Sequence, residues 1–498
     1  MRKELAGPRA PGVCAMNYRM ILRLICYLLR IEAVCLAPAA GISLYQGEEE
    51  AFAALVATMA LSAVLSLSSF LFRPQTREIG AKEGFLTVAL GWIAVSALGA
   101  LPFFCSGAVP NYVDCLFETV SGFTTTGASI LNDIEAMPMG LLYWRSFTHW
   151  LGGMGVLVFL LAVVPMGKGK NSLLHVMRAE SPGPQVDKLV PRLHNSAQIL
   201  YSIYVALTVL QAGLLLLGGM PLFDSLTTAF GTAGTGGFGI KGDSMAGYSH
   251  YVQTVCTVFM ALFGINFSVF YLLLLRQFSR VLHNQELWTY LGVMLASTAL
   301  ITWDILPQFA NHVGEALHHA AFQVSSIMTT TGFATVDFNQ WPAFSKTLLV
   351  ALMVLGACAG STGGGVKVAR VLLLGKAGRR GIRRMLRPRS VCQVHVDGQL
   401  ASEDMIQNAY SYLFVYCAVV MASMLLISLD GFSLETNVTA VLACLNNIGP
   451  GLDMVGPMGN FYPFSDFSKL VLSFDMLVGR LEIFPMLILF APSAWRKS

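Results

Sequence analysis

The stretch Ser121-Gly-Phe-Thr-Thr-Thr-Gly-Ala128 returns three more times in altered form, and its repetition decides the fold. Its core, Thr124-Thr125-Thr126-Gly127, is matched by Gly234-Thr235-Gly236-Gly237, Thr329-Thr330-Thr331-Gly332 and Asn446-Asn447-Ile448-Gly449. Six residues before each last glycine stands a small residue, Ser121, Gly231, Ser326 or Ala443, as expected where short helices crowd one axis. Each loop follows a weakly helical stretch, as at 111–123 and 434–445, of about a dozen residues, too short to cross a bilayer. A single TTTG segment reads as a polar turn; four in register ask for a common purpose. The simplest arrangement is helix, re-entrant half-helix, exposed backbone, helix, made four times. Irregular backbone at membrane depth is tolerated only where protein buries it or where it lines a watery path.

The surroundings agree. Of the 498 residues, 55% are hydrophobic and 12% charged, and the mean hydropathy is +0.62. An ordinary soluble domain has about twice that share of charge. Ten spanning helices are predicted near 22–43, 51–72, 83–104, 140–165, 196–219, 248–277, 286–306, 345–373, 406–430 and 463–492. The fold class is therefore an all-α integral membrane protein with four repeats in pseudo-fourfold arrangement, preceded by two extra transmembrane helices. The expected division is a disordered leader at 1–15, a two-helix extension at 16–75, and repeats at 76–168, 169–280, 281–390 and 391–498. Met16 is an alternative start. Ala37-Pro38-Ala39 raises a cleaved signal peptide as an alternative, which the spans following at once disfavour. The ten cysteines form no CxxC pair and read as small hydrophobes in apolar helices.

Charge orients the chain. Basic residues crowd into 2–23, Arg73 to Lys82, Lys168 to Arg192, Arg276 with Arg280, and Lys367 to Arg389, with Arg496 and Lys497 at the end. The intervening loops carry Glu48, Glu49, Glu50, Asp133, Glu135, Asp304, Asp337 and Asp453. By the positive-inside rule both termini face the cytoplasm. The net charge of +4 is thus a topology signal, not nucleic-acid affinity. The run Arg379 to Arg389 fits membrane-surface anchoring or the docking of a cytoplasmic partner.

Backbone carbonyls can replace the hydration shell of a bare monovalent cation, and glycine permits the torsions that aim them inward. The hydroxyls of Thr125, Thr235 and Thr330 either add ligands or lock the loops. Half-helix C-termini would each direct about half an electron of negative charge toward the axis, so cations are the expected cargo. Asp133, Asp243, Asp337 and Asp453 follow the four glycines closely and predict an acidic outer mouth. Gly356-Ala-Cys-Ala-Gly360-Ser361-Thr362-Gly363-Gly364-Gly365 interrupts an apolar span, and each glycine costs a helix up to about 1 kcal/mol. It reads as a flexible intramembrane loop or as a site of close helix packing. Arg480 lies deep in the last span, where an ionised group faces protein or water; pairing with Asp475 or Glu482 is one option.

These loops, together with Trp144-Arg-Ser-Phe-Thr-His-Trp-Leu-Gly-Gly-Met-Gly155, Gly360 to Gly365 and Gly479-Arg-Leu-Glu-Ile-Phe484, resemble the Trk/Ktr/HKT superfamily of potassium transporters. The likeness runs from Met16 onward, and the two extra helices resemble the TrkH branch more than the shorter KtrB. It implies potassium uptake across a bacterial plasma (inner) membrane. The implied assembly is a homodimer, each protomer with its own pore, on a cytoplasmic ring of nucleotide-binding TrkA-like subunits. It also implies potassium ligation by Thr125, Thr126 and Gly127; Thr235, Gly236 and Gly237; Thr330, Thr331 and Gly332; and Asn447, Ile448 and Gly449. Gly236, in place of the threonine of repeats one and three, is a mild departure because carbonyls are the main ligands. A gate is implied at Gly356 to Gly365, including Gly360, Ser361, Thr362, Gly363 and Gly364, with Arg480 as a positive charge in the pore.

Two motif matches are discarded. Gly234-x-Gly236-x-x-Gly239 lacks a βαβ unit, and Gly360 to Lys367 resembles a P-loop with its lysine one place late, so no nucleotide is expected on this chain. An enzyme using His149, His318 or His319 would want HExxH or GxSxG beside them, and neither is present. The remaining alternative is a secondary transporter with broken helices for another small substrate, which usually shows two related halves in place of four loops.

Overall fold

The computed structural model describes residues 16–70, 80–155, 193–389 and 392–495. The expected leader, the second half of the span at 140–165, the basic stretches 73–79 and 168–192, and Arg496 with Lys497 lie outside those residues. What is described is mostly helical, and the fourfold plan is borne out. Among the described residues, five helices are long and apolar enough to span, at Glu49–Phe70, Lys82–Cys105, Gln198–Leu217, Gln285–Phe309 and Glu403–Asp430. The last four are the outer helices of the four repeats. The first belongs with Tyr18–Cys35 and Ala37–Gln46, which lie ahead of repeat one. The expected single span at 22–43 is thus two helices, parted at Leu36 with Pro38 opening the second.

Each outer helix is followed by a re-entrant half-helix: Tyr112–Phe123, Leu222–Gly234, Val313–Met328 and Leu434–Leu445. Their 12, 13, 16 and 12 residues reach roughly 18–24 Å, short of a hydrocarbon core of about 30 Å. Side-chain caps start two of them, Asn111 accepting from Val113 N at 3.0 Å and Ser433 from Thr436 N at 3.1 Å. All four end where the glycine loops begin, so the C-terminal dipole ends converge on those loops.

The inner helices depart in part from expectation. The spans predicted at 248–277 and 463–492 are interrupted where no break was expected, and 345–373 is interrupted at the glycine-rich run that already read as a break. In repeat two, His250–Phe263 and Phe267–Leu274 meet at 89°. In repeat three, Ala343–Leu355 stops and helix resumes at Val368–Leu386. In repeat four, Asp466–Arg480 gives way to the short Phe484–Ile488 after Glu482 and Ile483 take left-handed torsions. In repeat one, Met139–Gly153 ends before Gly155, itself left-handed. A small hairpin was not anticipated: His395–Val396 pairs with Gln399–Leu400 across a left-handed Asp397-Gly398 turn. It is fastened to repeat three by Gln285 N donating to Asp397 at 2.9 Å.

Candidate functional site

The four glycine loops share one backbone conformation. The residue before each glycine donates its N–H back to the small residue five places earlier: Thr126 to Ser121 at 2.8 Å, Gly236 to Gly231 at 2.8 Å, Thr331 to Ser326 at 2.8 Å and Ile448 to Ala443 at 2.9 Å. One position earlier the chain is left-handed, with φ of 56° at Thr125, 56° at Thr235, 59° at Thr330 and 55° at Asn447. The glycines are left-handed too, at 81°, 70°, 84° and 95° for Gly127, Gly237, Gly332 and Gly449. A non-glycine residue so placed costs on the order of 1–2 kcal/mol, and four such residues at one register mark a constraint that local stability does not explain.

The loops also close on one another. A β-carbon added to Gly127 would strike the carbonyl oxygen of Gly236; on Gly237, that of Thr331; on Gly332, that of Ile448; and on Gly449 it would lie 2.8 Å from that of Thr126. Each repeat's glycine therefore leans on the next repeat's carbonyl, and the fourth returns to the first. Gly127, Gly237, Gly332 and Gly449 all line one cavity of about 140 Å³. The structure thus brings together every residue singled out in the loops.

The threonine side chains do two jobs. Thr124 with Thr126, and Thr329 with Thr331, pair hydroxyl to hydroxyl at 2.8 Å and stiffen loops one and three from within. Asn447 Nδ2 reaches Thr126 Oγ1 at 3.0 Å and Met476 O at 2.9 Å, tying loop four to loop one. The hydroxyls of Thr125 and Thr330 instead receive donors from the layer on the other side of the ring from the 140 Å³ cavity. Arg480 Nη1 donates to Thr125 Oγ1 at 3.1 Å, and Gly364 N donates to Thr330 Oγ1 at 2.7 Å. The Thr235 hydroxyl bonds back to Gly234 O at 2.6 Å.

That layer is the Gly356–Gly365 segment with Arg480. Gly356, Gly360 and Gly365 have φ of 72°, 72° and 79°, so the interruption is a defined loop that those torsions require. Its tip abuts the ring: a β-carbon on Gly363 would come to 2.8 Å from Thr329 O, and one on Gly364 would strike Asn446 O. Ser361 Oγ donates to Cys358 O at 2.7 Å within the loop. Arg480 Nη1 donates to Thr362 O at 2.8 Å, while Nη2 reaches Gly153 O at 2.6 Å and Gly152 O, at the end of repeat one's inner helix. The two carboxylates weighed as its partners are engaged elsewhere, Asp475 with Ser423 at 2.7 Å and Glu482 with Arg370.

Sequence reasoning missed what holds the loop from behind. The bend in repeat two supplies a seat: Cys358 N donates to Gly264 O at 3.1 Å, Phe267 N to Gly360 O at 3.0 Å and Thr362 Oγ1 to Phe263 O at 3.3 Å. Glu286, 2% exposed, accepts from Ala359 N at 2.5 Å, and Lys367 Nζ donates to Gly363 O. Glu286 reads in the sequence as an ordinary helix-start acid, and Asn266 in an apolar run was the available signal for the bend. On the other face of the ring, the buried pair Arg145–Glu118 at 2.5 Å ties loops one and two. Glu118 accepts from Ile130 N at 2.9 Å, while Arg145 donates to Gly239 O at 2.8 Å and stacks 3.5 Å over Phe238. Removing one partner of such a pair costs about 3–5 kcal/mol.

The acidic mouth is not what the carboxylates build. None of Asp133, Asp243, Asp337 and Asp453 lines the cavity over the glycines, where Arg145 and Lys241 are the charged members. Asp133 accepts from the backbone of Glu135 and Ala136, Asp337 from Asn339 N, and Asp453 from the hydroxyls of Ser433 and Thr436. Those hydroxyls hold the Asp453 carboxyl below its usual range. Of the histidines, His318 bonds Gln253 at 2.7 Å and His319 bonds Thr335 at 2.9 Å, away from the ring, whereas His149 packs directly against loop two.

Four re-entrant half-helices whose loops close head to tail around one axis, in a chain of membrane-spanning helices, define a class: helical membrane proteins with a single central path. Within it, the chain belongs to the TrkH family, described as cation transport protein, whose model matches residues 50–295 and 287–497. It is 36% identical over 497 residues to the Trk system potassium uptake protein TrkH of Salmonella typhimurium, covering 97% of this chain and 100% of that one. Its identity to the Trk system potassium uptake protein TrkG of Escherichia coli is 29%, over 96% and 99% of the two chains. The crystal structure of the potassium transporter TrkH from Vibrio parahaemolyticus superposes with a TM-score of 0.85 at 31% identity, covering 97% and 100% of the two chains.

Proposed function

We propose that this chain is the ion-conducting subunit of a potassium uptake system. The glycine ring acts as its selectivity filter, and the Gly356–Gly365 loop with Arg480 acts as its gate. The observation that carries the reading is the closed circle of glycine and carbonyl contacts from Gly127 through Gly449 and back. Only such a ring presents carbonyls from all four repeats to one dehydrated cation. The ligands are the carbonyls of Thr125 to Gly127, Thr235 to Gly237, Thr330 to Gly332 and Asn447 to Gly449. Four half-helix C-termini add negative potential at the same point. Relatives named as potassium uptake proteins support K+ as the cargo.

The gate reading rests on position. The loop tip meets the ring, and Arg480 spans the loop, the ring base and repeat one. A guanidinium at that point opposes an arriving cation by charge and by occupancy. The basic helix Val368–Leu386 leaves the loop directly, so a cytoplasmic ring of TrkA-like subunits pulling on it would bias the loop. The protein works as a homodimer with both termini on the cytoplasmic side of a bacterial plasma membrane, in keeping with its basic segments. The competing reading, a secondary transporter for another small substrate, draws on the broken inner helices. Current through purified protein in planar bilayers under varied K+ and Na+ gradients decides between them. Steady K+-selective current supports the filter; coupled uptake of an organic solute without such current would overturn it.

A further inference from the structure

Loop two lacks the internal brace of loops one and three. Where Thr124 and Thr126, or Thr329 and Thr331, pair their hydroxyls, loop two has Gly234 and Gly236 and no side chain at either place. The space is filled from outside. A β-carbon on Gly236 would strike Nδ1 of His149, with Cε1 and Cγ of the same ring also in its way, and one on Gly234 would strike His149 O. The His149 ring is fully buried, lies 4.1 Å from the Phe238 ring centroid, and among the described residues neither of its nitrogens finds a hydrogen-bond partner. The imidazole packs between Gly236 and the Phe238 ring. Gly236, unlike Gly237, has no left-handed torsion, so its backbone does not itself require glycine, and the nearest obstacle to a side chain there is the His149 ring.

We propose that His149, on the inner helix of repeat one, is a positioning residue for ion selectivity. Its ring takes the place of the missing threonine and fixes the carbonyls of Thr235 and Gly236 at the ring's second quadrant. The proposal rests on the filter reading. The two positions form a reciprocal pair, a threonine braced by a second hydroxyl in loops one and three, and a glycine with a ring behind it in loop two.

The test is the K+ over Na+ permeability ratio from reversal potentials of purified protein in bilayers. His149→Ala opens a void beside one of four loops. With that support lost from one of the four ligand sets the ratio falls roughly tenfold, a change of about 1.4 kcal/mol in relative ion stabilisation. Gly236→Thr alone drives the new side chain into the ring and abolishes selectivity or assembly. The double variant His149→Ala with Gly236→Thr refills the void and recovers most of the ratio, and His149→Gln, which keeps the bulk, retains it. Gly332→Ala serves as the control for the filter itself. If Gly332→Ala alters the ratio while His149→Ala leaves it unchanged, or if the double variant is no better than the worse single, the proposal is overturned. If neither Gly332→Ala nor His149→Ala alters it, the filter reading falls and takes the proposal with it. Should His149→Ala fail to assemble, the double variant and His149→Gln carry the decision: a double variant that assembles and selects supports the pairing, and a His149→Gln variant that assembles without selectivity contradicts it.

Discussion

Around the ring the four repeats do the same thing at the same register, whereas in the layer beneath it each repeat does something different. Thr125, Thr235, Thr330 and Asn447 share a left-handed torsion, and the four glycines share another. Below them, repeat three contributes a long glycine-rich loop and repeat four an arginine. Repeat two contributes a sharp bend that seats the loop, and repeat one the helix end whose carbonyls receive the arginine. Coordination of a spherical ion rewards equivalence, because each carbonyl faces the same task. Opening and closing rewards inequivalence, because a single mobile element can be released without disturbing the other three.

The comparison is easiest to break at Gly332. With φ of 84° and a neighbouring carbonyl where a β-carbon would go, Gly332→Ala combines a left-handed penalty of about 1–2 kcal/mol with a direct clash. The permeability ratio should collapse toward unity, and the same change at Gly127, Gly237 and Gly449 should do likewise. One tolerant glycine among the four, read by reversal potential, would end the claim of equivalence.

Next in size are changes below the ring, which should raise flux and spare selectivity. Deleting Ser361 to Gly364 removes the tip that abuts Thr329 and Asn446, and Arg480→Ala removes the charge. Closed-state 86Rb+ uptake into liposomes should rise by about tenfold or more in either variant, about 1.4 kcal/mol of lost closure. Uptake that stays at the resting level in both, with folded protein, would separate this layer from gating.

A smaller effect is expected at Glu286, whose carboxylate holds Ala359 N at 2.5 Å. Glu286→Gln keeps one acceptor oxygen and replaces the other with an amide donor, weakening the bond by about 1 kcal/mol, so resting uptake should rise roughly fivefold. No change would move the latch to the repeat-two seat alone.

The smallest effect belongs to the outer carboxylates. Asp133, Asp243, Asp337 and Asp453 together changed to Asn should alter low-salt conductance less than about twofold, since none of them lines the cavity over the glycines, where Arg145 and Lys241 are the charged members. Because the Asp453 carboxyl lies below its usual range, the stability it lends its turn is full above the unfolded value, near 3.9, and fades only as pH falls through the lower folded value. Conductance should therefore be indifferent to this group between pH 5 and 8 on the order of experimental error. A several-fold loss at low salt would restore the acidic mouth.

The repeats, the register of the glycines and the small residues six places earlier were legible because backbone torsions and close approach restrict residue type. The Gly356–Gly365 break was legible for the same reason. The bend after Phe263 was not, since hydropathy averages over a single polar Asn266, nor was the Asp397-Gly398 hairpin, hidden beside a run of arginines. The acidic mouth was misread because spacing from a glycine says nothing about where a carboxylate points. His149 was invisible as a partner of Gly236, because the contact joins one repeat's inner helix to the next repeat's loop, and only the absence at Gly236 hinted at it.

The central claim is that the four loops surround one dehydrated cation, and a heavy potassium substitute locates it directly. Crystals grown with Rb+ or Tl+ should give anomalous density on the axis enclosed by residues 125–127, 235–237, 330–332 and 447–449, within carbonyl ligand distance of all four repeats. Density confined to one side of the ring, or to another part of the molecule in protein that still conducts, would contradict it.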